Sequence, residues 1–265
     1  MATKEHVYTS DHSAAVLATH SWRTVQNSAA YLIPYLKPDF KLLDAGCGPG
    51  TITVDLARFL PEGHVIGVEY SAEPLSQART FAEQQGVKNV EFRVEDIHEL
   101  PFEDGTFDVV HAHQCPETDR TFREMERVTK KGGIVACRES ASMTWYPQSK
   151  GLAKWYEVHM KVAGSKGSNP NSGNRIHAWA REAGFKVDGI KCTAGTWCFA
   201  SKEEREYWGG RWEKRTSESV FNKLATERGY ATEEELKEIG KAWKAWEQDE
   251  DGWFTILHGE IICKV

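Results

Sequence analysis

The residues best suited to do chemistry lie between Leu42 and Thr51, in the run Leu-Leu-Asp-Ala-Gly-Cys-Gly-Pro-Gly-Thr. A hydrophobic stretch leads into an acid, Asp44, and then into three alternating glycines, Gly46, Gly48 and Gly50. Glycines at this spacing let the backbone turn sharply and let a ligand lie against bare peptide, where a Cβ would fill the space. The spacing also selects among ligands. Dinucleotide loops carry Gly-x-Gly-x-x-Gly, so that a pyrophosphate can rest on a helix N-terminus, and a carboxylate at the loop entrance would repel it. Asp44 stands at that entrance, so the expected ligand has no phosphate there and carries a cation. S-adenosylmethionine, with its α-ammonium, sulfonium and adenosine, meets both conditions.

Two further acids support this reading. His64-Val65-Ile66-Gly67-Val68-Glu69 reads as a buried strand ending in a carboxylate, nineteen residues after Gly50. An acid placed about 20 residues beyond the loop can accept hydrogen bonds from both ribose hydroxyls. Val90 to Val94 reads as a third strand, followed by Glu95-Asp96-Ile97. Asp96 is placed to take the adenine amino group and Ile97 to pack on the ring. Any one of these acids alone is best read as a solvated loop carboxylate. Three of them, each closing a strand, indicate a site.

These residues need a scaffold that brings several strand ends together. The chain alternates strand and helix patterns, which favours a parallel sheet covered on both faces. Strands are expected at 41–45, 64–69, 90–95, 107–112 and 133–139. Helices are expected at 50–60, 73–86 and 118–129 between them, near 13–19 and 22–36 before them, and at 175–183 after them. A strand at 186–193, extending toward 199, and a closing strand at 254–264 complete the fold. The fold class is therefore α/β: a Rossmann-like, seven-stranded, mostly parallel sheet with helices on both faces, N-terminal helices, and a helical insertion before the last strand. The expected organisation is one domain over 1–265, with a helical cap at 1–37, a ligand-binding core at 38–140 and the insertion at 200–252. Gly164 to Gly173 reads as a loop.

With these motifs in place, the chain resembles class I S-adenosylmethionine-dependent methyltransferases, most closely the ubiquinone and menaquinone biosynthesis group. The resemblance covers roughly residues 38 to 140. Its text includes the glycine loop, Gly67 to Ser71 continuing to Ala78-Arg79, Leu100-Pro101-Phe102, Phe107-Asp108, and Arg127 to Gly133. It implies that Gly46, Gly48, Glu69 with its neighbour Tyr70, Asp96 and Ile97 line the cofactor site, with His113 beside the methionine part. It also implies that the N-terminal region, with Tyr8, His12, His20 and Trp22, caps the cofactor. Two departures stand out. His111 to Arg120 reaches the next helix by a shorter path than in relatives, and Lys131 stands where the turn usually has proline.

Composition narrows the alternatives. A net charge of -6 and a pI near 6.0 give no electrostatic case for nucleic acid. No apolar run approaches the roughly 20 residues that cross a bilayer, and Met1 to His6 lacks a leader's apolar core, so a cytoplasmic protein is expected. The six cysteines form no Cys-x-x-Cys or metal-ligand group, and they read as reduced thiols. No metal is expected. Eight of the ten tryptophans follow residue 150. They read mainly as anchors of the insertion, with Trp145, Tyr146 and Trp155 nearer a flat, apolar acceptor.

Methyl transfer from a sulfonium requires alignment and exclusion of water, and a general base only when the acceptor must lose a proton. His12, His20, His111, His113 and His159 are all candidates for that base, and their spacing does not choose among them. The expected function is methyl transfer to carbon or oxygen of a small aromatic or apolar metabolite. The shortened loop and enlarged insertion motivate an alternative, in which S-adenosylmethionine is bound but not consumed and its charge assists a cyclisation or rearrangement. A third reading is a binding module with no product.

Overall fold

The structure is a computed structural model that describes residues 22–115 and 118–265. Its elements, in chain order, begin with α1 (Val25–Ser28), a 3-10 helix (Ala30–Tyr35), β1 (Lys41–Ala45), α2 (Thr51–Phe59) and β2 (His64–Glu69). There follow α3 (Ala72–Gln84), β3 (Val90–Val94), β4 (Phe107–His113), α4 (Asp119–Val128), β5 (Thr129–Tyr146) and α5 (Lys150–Gly164). The last part holds α6 (Ile176–Ala183), β6 (Ile190–Phe199), α7 (Lys202–Glu218), α8 (Val220–Glu227), α9 (Glu233–Gln248) and β7 (Trp253–Lys264). The described residues form two compact units: one within residues 22–141, 171–195 and 257–265, and another of residues 142–170 and 196–256.

The seven strands lie in the order β3-β2-β1-β4-β5-β7-β6. The pairs β1–β2, β1–β4, β2–β3 and β4–β5 are parallel. Gly132 N–H donates to Val265 O at 2.8 Å and Val265 N–H to Gly133 O at 3.1 Å. The end of β7 thus meets the start of β5, and the two run in opposite directions. The sequence-based fold class holds, and β1 and β2 fall where the hydrophobic runs placed them. The strand order reverses between β1 and β4, and in open α/β sheets the crevice beyond the carboxyl ends of the strands at such a point takes the ligand.

In the first unit, both faces of the sheet are sealed by apolar side chains. Leu43, Val68, Val110 and Val135 pack on one side with Phe122, Met125 and Ile176 of α4 and α6. Leu42, Val65, Val109 and Ala136 pack on the other with Val25, Leu32 and Leu56. Alternate residues of a strand face opposite layers, which explains the near-continuous apolar runs of a fully covered sheet.

Three expectations need correction. The helix expected over 22–36 is a four-residue α-helix followed by a 3-10 helix, because Ala29 leaves helical geometry at φ -139 and Pro34 lies in the second piece. The strand expected at 133–139 runs from Thr129 to Tyr146. Residues 187–189, expected to be strand, form a 3-10 turn before β6. The helical element near 13–19 lies outside the described residues.

The second unit is built on tryptophan. Trp155 on α5 is fully buried. Its ring centroid lies 4.7 Å from that of Trp212 and 4.9 Å from that of Trp243, with edge-to-face planes at 74° and 87°. Close helix approach makes this packing possible. A Cβ on Gly209 of α7 would come within 2.6 Å of Glu247 Cβ, and one on Gly151 of α5 within 2.4 Å of Ala242 Cβ. Among the described residues the buried indole N–H groups of Trp145, Trp155, Trp212 and Trp243 meet no hydrogen-bond acceptor, and the edge-to-face rings offer π faces in place of oxygens. Trp155 is therefore core, not the substrate-side residue expected from its position. Tyr146 is exposed and Trp145 is buried beside Trp155.

His159 stacks on Trp155 at 5.4 Å and meets the edge of Trp212 at 5.3 Å. Burial, with the nearby Arg215 charge, lowers its pKa to about 3. The unfolded chain takes up this proton near pH 6.5, while the folded chain resists it until about pH 3. Stability from His159 is therefore complete above about pH 7 and falls by up to about 1.4 kcal/mol per pH unit as the solution is acidified between those values. His159→Phe, which keeps an aromatic ring and removes the titration, should flatten the dependence of the urea midpoint on pH between 6.5 and 4. Equal slopes in the two proteins would contradict this assignment.

Candidate active site

The glycine loop leaves β1 and turns at once. Gly46 and Cys47 N–H both donate to Val68 O, at 2.8 and 2.9 Å, which stitches the loop to β2. Gly46, Gly48 and Gly50 have φ of 73°, 52° and 74°, a region open to glycine and strained for other residues. A Cβ on Gly46 would meet Cys115 Sγ at 2.4 Å, whereas one on Gly48 would meet nothing within 4 Å. Among the described residues, space therefore lies open above Gly48, and the loop base is closed against the residue that follows β4. This places Cys115 as a packing partner of the loop, and burial among Glu139, Glu69 and Asp44 pushes its thiol pKa well up.

Glu69 closes β2 directly beneath that space. Its carboxylate accepts from Gly48 N–H at 3.1 Å and from Tyr70 N–H at 2.9 Å. These two amides fix the carboxylate at the mouth of the loop. Asp96 follows β3 with its side chain 43% exposed, accepting from His98 N–H at 2.9 Å and lying 2.8 Å from the His98 ring. Ile97 is buried beside it and Tyr70 is exposed. His113 ends β4 and pairs in register with Arg138 of β5. Burial, with the charges of Arg23 and Arg138, lowers its pKa well below the usual imidazole range, so it is neutral at pH 7 and accepts or donates a hydrogen bond without carrying charge. Tyr8, His12 and His20 lie outside the described residues.

Asp44 is placed differently from the sequence expectation. It is 3% exposed, and its two oxygens are engaged within the protein, one by Thr53 Oγ at 2.6 Å and the other 2.7 Å from His111 Nδ1. The carboxylate is a brace that ties the first helix after the loop to β4, and it acts on the loop through position. His111 is fully buried in this pair and His159, half-buried, stacks on Trp155, so of the histidine candidates among the described residues His113 is the one at the strand ends. Asp44→Ala is expected to lower stability by about 1–3 kcal/mol for each buried partner it strands, read as a fall in the urea midpoint.

The site also contains groups that gave no sequence signal. Glu139 accepts from Cys115 N–H at 2.7 Å and holds the chain where it leaves β4. Arg138, 1% exposed, donates to Asn27 O at 2.7 Å and lies 3.3 Å from Glu260. Gly195 of β6 makes room for this pair, since a Cβ there would come within 2.2 Å of Glu260 Oε1. These partners lie far apart in sequence, and only the order β4-β5-β7-β6 brings them together.

A loop of three left-handed glycines, an acid closing the next strand and open space between them, at the switch point of a seven-stranded α/β sheet, are the marks of an adenosyl-ligand fold. Residues 36–184 match the family model described as a methyltransferase domain. The chain is 33% identical to an uncharacterised methyltransferase of Schizosaccharomyces pombe, over 99% of this chain and 98% of that one. It is 31% identical to a demethylmenaquinone methyltransferase of Bacillus cereus, over 59% of this chain and 67% of the relative. Among solved structures, the YcgJ protein of Bacillus subtilis shares the fold with a TM-score of 0.57 at 17% identity, over 90% of this chain and 98% of that one. The chain belongs to the class I S-adenosylmethionine-dependent methyltransferases. Among the described residues no cluster of side chains could hold a metal, and no helix is long and apolar enough to cross a membrane.

Proposed function

We propose that this enzyme transfers the methyl group of S-adenosylmethionine to carbon or oxygen of a small aromatic or apolar acceptor. The observation that carries the reading is the pairing of open space over Gly48 with the Glu69 carboxylate directly below it. In this reading Glu69 accepts from the ribose hydroxyls, Asp96 accepts from the adenine amino group and Ile97 supports the ring. Gly46 and Gly48 give the ligand bare backbone to lie on, and His113 faces the methionine end. The cofactor supplies an electrophilic methyl on a sulfonium. The protein's contribution is alignment, for which about 7–11 kcal/mol of barrier lowering is available. His113, neutral and buried, suits the orientation of an acceptor hydroxyl through a hydrogen bond better than the uptake of a full proton.

The test has two stages. Calorimetric titration with S-adenosylmethionine, S-adenosylhomocysteine and NAD should show binding of the first two and none of the third. Incubation of methyl-labelled S-adenosylmethionine with a panel of phenols, naphthols and quinols should then move label into product with one S-adenosylhomocysteine formed per methyl. Product formation with the cofactor unconsumed would replace transfer by a cyclisation or rearrangement. Failure to bind either adenosyl ligand would remove the reading altogether.

A further inference from the structure

Within the second unit, Arg211 lies on α7 one turn after Tyr207, and residues four apart on a helix are neighbours. Its guanidinium carbon stands 3.6 Å from the centre of the Tyr207 ring. At that separation the guanidinium must lie nearly flat, because a steep tilt would drive one of its nitrogens into the π face. The stack fixes the plane of the cation and occupies one of its faces. It engages none of the N–H donors, which point outward in that plane.

The two arginines most deeply buried among the described residues are met by oxygens. Arg138 stands beside Glu260 and donates to Asn27 O. Arg205 donates to Ala200 O at 2.5 Å and to Glu247 O at 3.4 Å. Arg211 differs. It is half-buried, with Nη1 covered, and among the described residues Nη1 meets no hydrogen-bond acceptor. Burial pulls its pKa down, and among the described residues only the Tyr207 phenol opposes that shift, with no carboxylate doing so. Arg215, one turn further along α7, lies over the Trp212 ring at 4.3 Å. It places a second positive charge beside the first, an arrangement that disfavours the helix unless an anion joins it.

A charge withdrawn from water is normally paired. We propose that Arg211 anchors a binding site for a small aromatic carboxylic acid, whose carboxylate takes the N–H edge of the guanidinium and whose ring lies along the aromatic side chains of α7. The guanidinium fork matches a carboxylate and can hold it through two parallel hydrogen bonds. A flat acid held edge-on continues the plane that Tyr207 has set, so its body gains a ring surface that a tetrahedral anion or a branched aliphatic acid cannot use. The site lies in the second unit, goes beyond the methyl-transfer reading and does not depend on it.

The test is calorimetry on the full-length protein with 2-naphthoate and its neutral counterpart 2-naphthamide. The wild type should bind the acid about tenfold or more tightly than the amide. Arg211→Gln keeps a planar polar group and removes the charge, and it should bring the two affinities within about threefold of each other. Arg211→Lys keeps the charge and loses the fork, and its preference should fall between the two. S-adenosylhomocysteine should bind the wild type and Arg211→Gln equally, so that failure at the adenosyl site and failure at Arg211 are told apart. A wild type that binds neither naphthyl compound, or binds both alike, overturns the proposal, and so does a preference that survives in Arg211→Gln. A tenfold loss of S-adenosylhomocysteine affinity in Arg211→Gln also overturns it, by assigning Arg211 to the methionyl carboxylate of the cofactor. If Arg211→Gln fails to fold, Arg211→Lys decides, and a preference equal to that of the wild type overturns the proposal.

Discussion

Glu69→Ala should weaken S-adenosylhomocysteine binding by about two orders of magnitude or more, measured by calorimetry at fixed salt. The carboxylate is buried at the end of β2 and already holds the glycine loop through Gly48 N–H. In the complex it is expected to accept from two ribose hydroxyls. Hydrogen bonds to a charged acceptor contribute about 1.5–3 kcal/mol each, so losing two corresponds to about 10²–10⁴ in affinity. The substitution also strands the Gly48 amide and lets the loop drift, which adds to the loss. Glu69→Gln keeps the shape and one accepting oxygen, and it should fall between the two. If Glu69→Ala binds S-adenosylhomocysteine within threefold of the wild type, the space over Gly48 is not the adenosyl site.

Trp155→Ala should lower stability by about 3–5 kcal/mol, the cost of removing a large buried aromatic from a packed core. Few side chains in the second unit are so enclosed. Trp145, Tyr156, His159, Trp212, Trp243 and Phe254 all have ring centroids within 6.3 Å of it. A domain's net stability is about 5–15 kcal/mol, so this one change removes a large share. The expected readout is a fall in melting temperature of roughly 6–20 °C, with loss of the near-ultraviolet circular dichroism of coupled indoles. Trp155→Phe, which retains an edge-to-face partner, should recover part of it. A Trp155→Ala protein that melts within 2 °C of wild type would show that these rings surround a cavity and do not form a filled core.

Sequence and structure agree where local pattern controls the outcome. Leu42-Leu43 and Val65 to Val68 are apolar on successive residues because both faces of their strands are covered, and a short apolar run closed by an acid or a glycine turn has few other folds open to it. The alternating glycines required positive φ, and the backbone adopts it at all three. The insertion at 200–252 is helical as expected, and α7, α8 and α9 form there, two of them opened by capping boxes at Ser201 and Thr232.

Agreement ends where a residue's role depends on what arrives from elsewhere. Asp44 was legible as an acid at the loop entrance. Thr53, nine residues on, and His111, sixty-seven residues on, take its oxygens, and no spacing rule announces that. His111, His113 and His159 look alike in the sequence. In the fold one braces a carboxylate, one faces the strand ends and one lies among tryptophans. Gln114 and His258 are 144 residues apart, and neither belongs to a motif. The sequence by itself determined the strand and helix alternation, the glycine loop and the class of enzyme, because periodicity and glycine stereochemistry act over a few neighbouring residues. Only the tertiary structure decided which acids are spent inside the protein and which histidine stands at the strand ends. Those outcomes depend on burial and hydrogen-bond partners that a strand order assembles from distant parts of the chain.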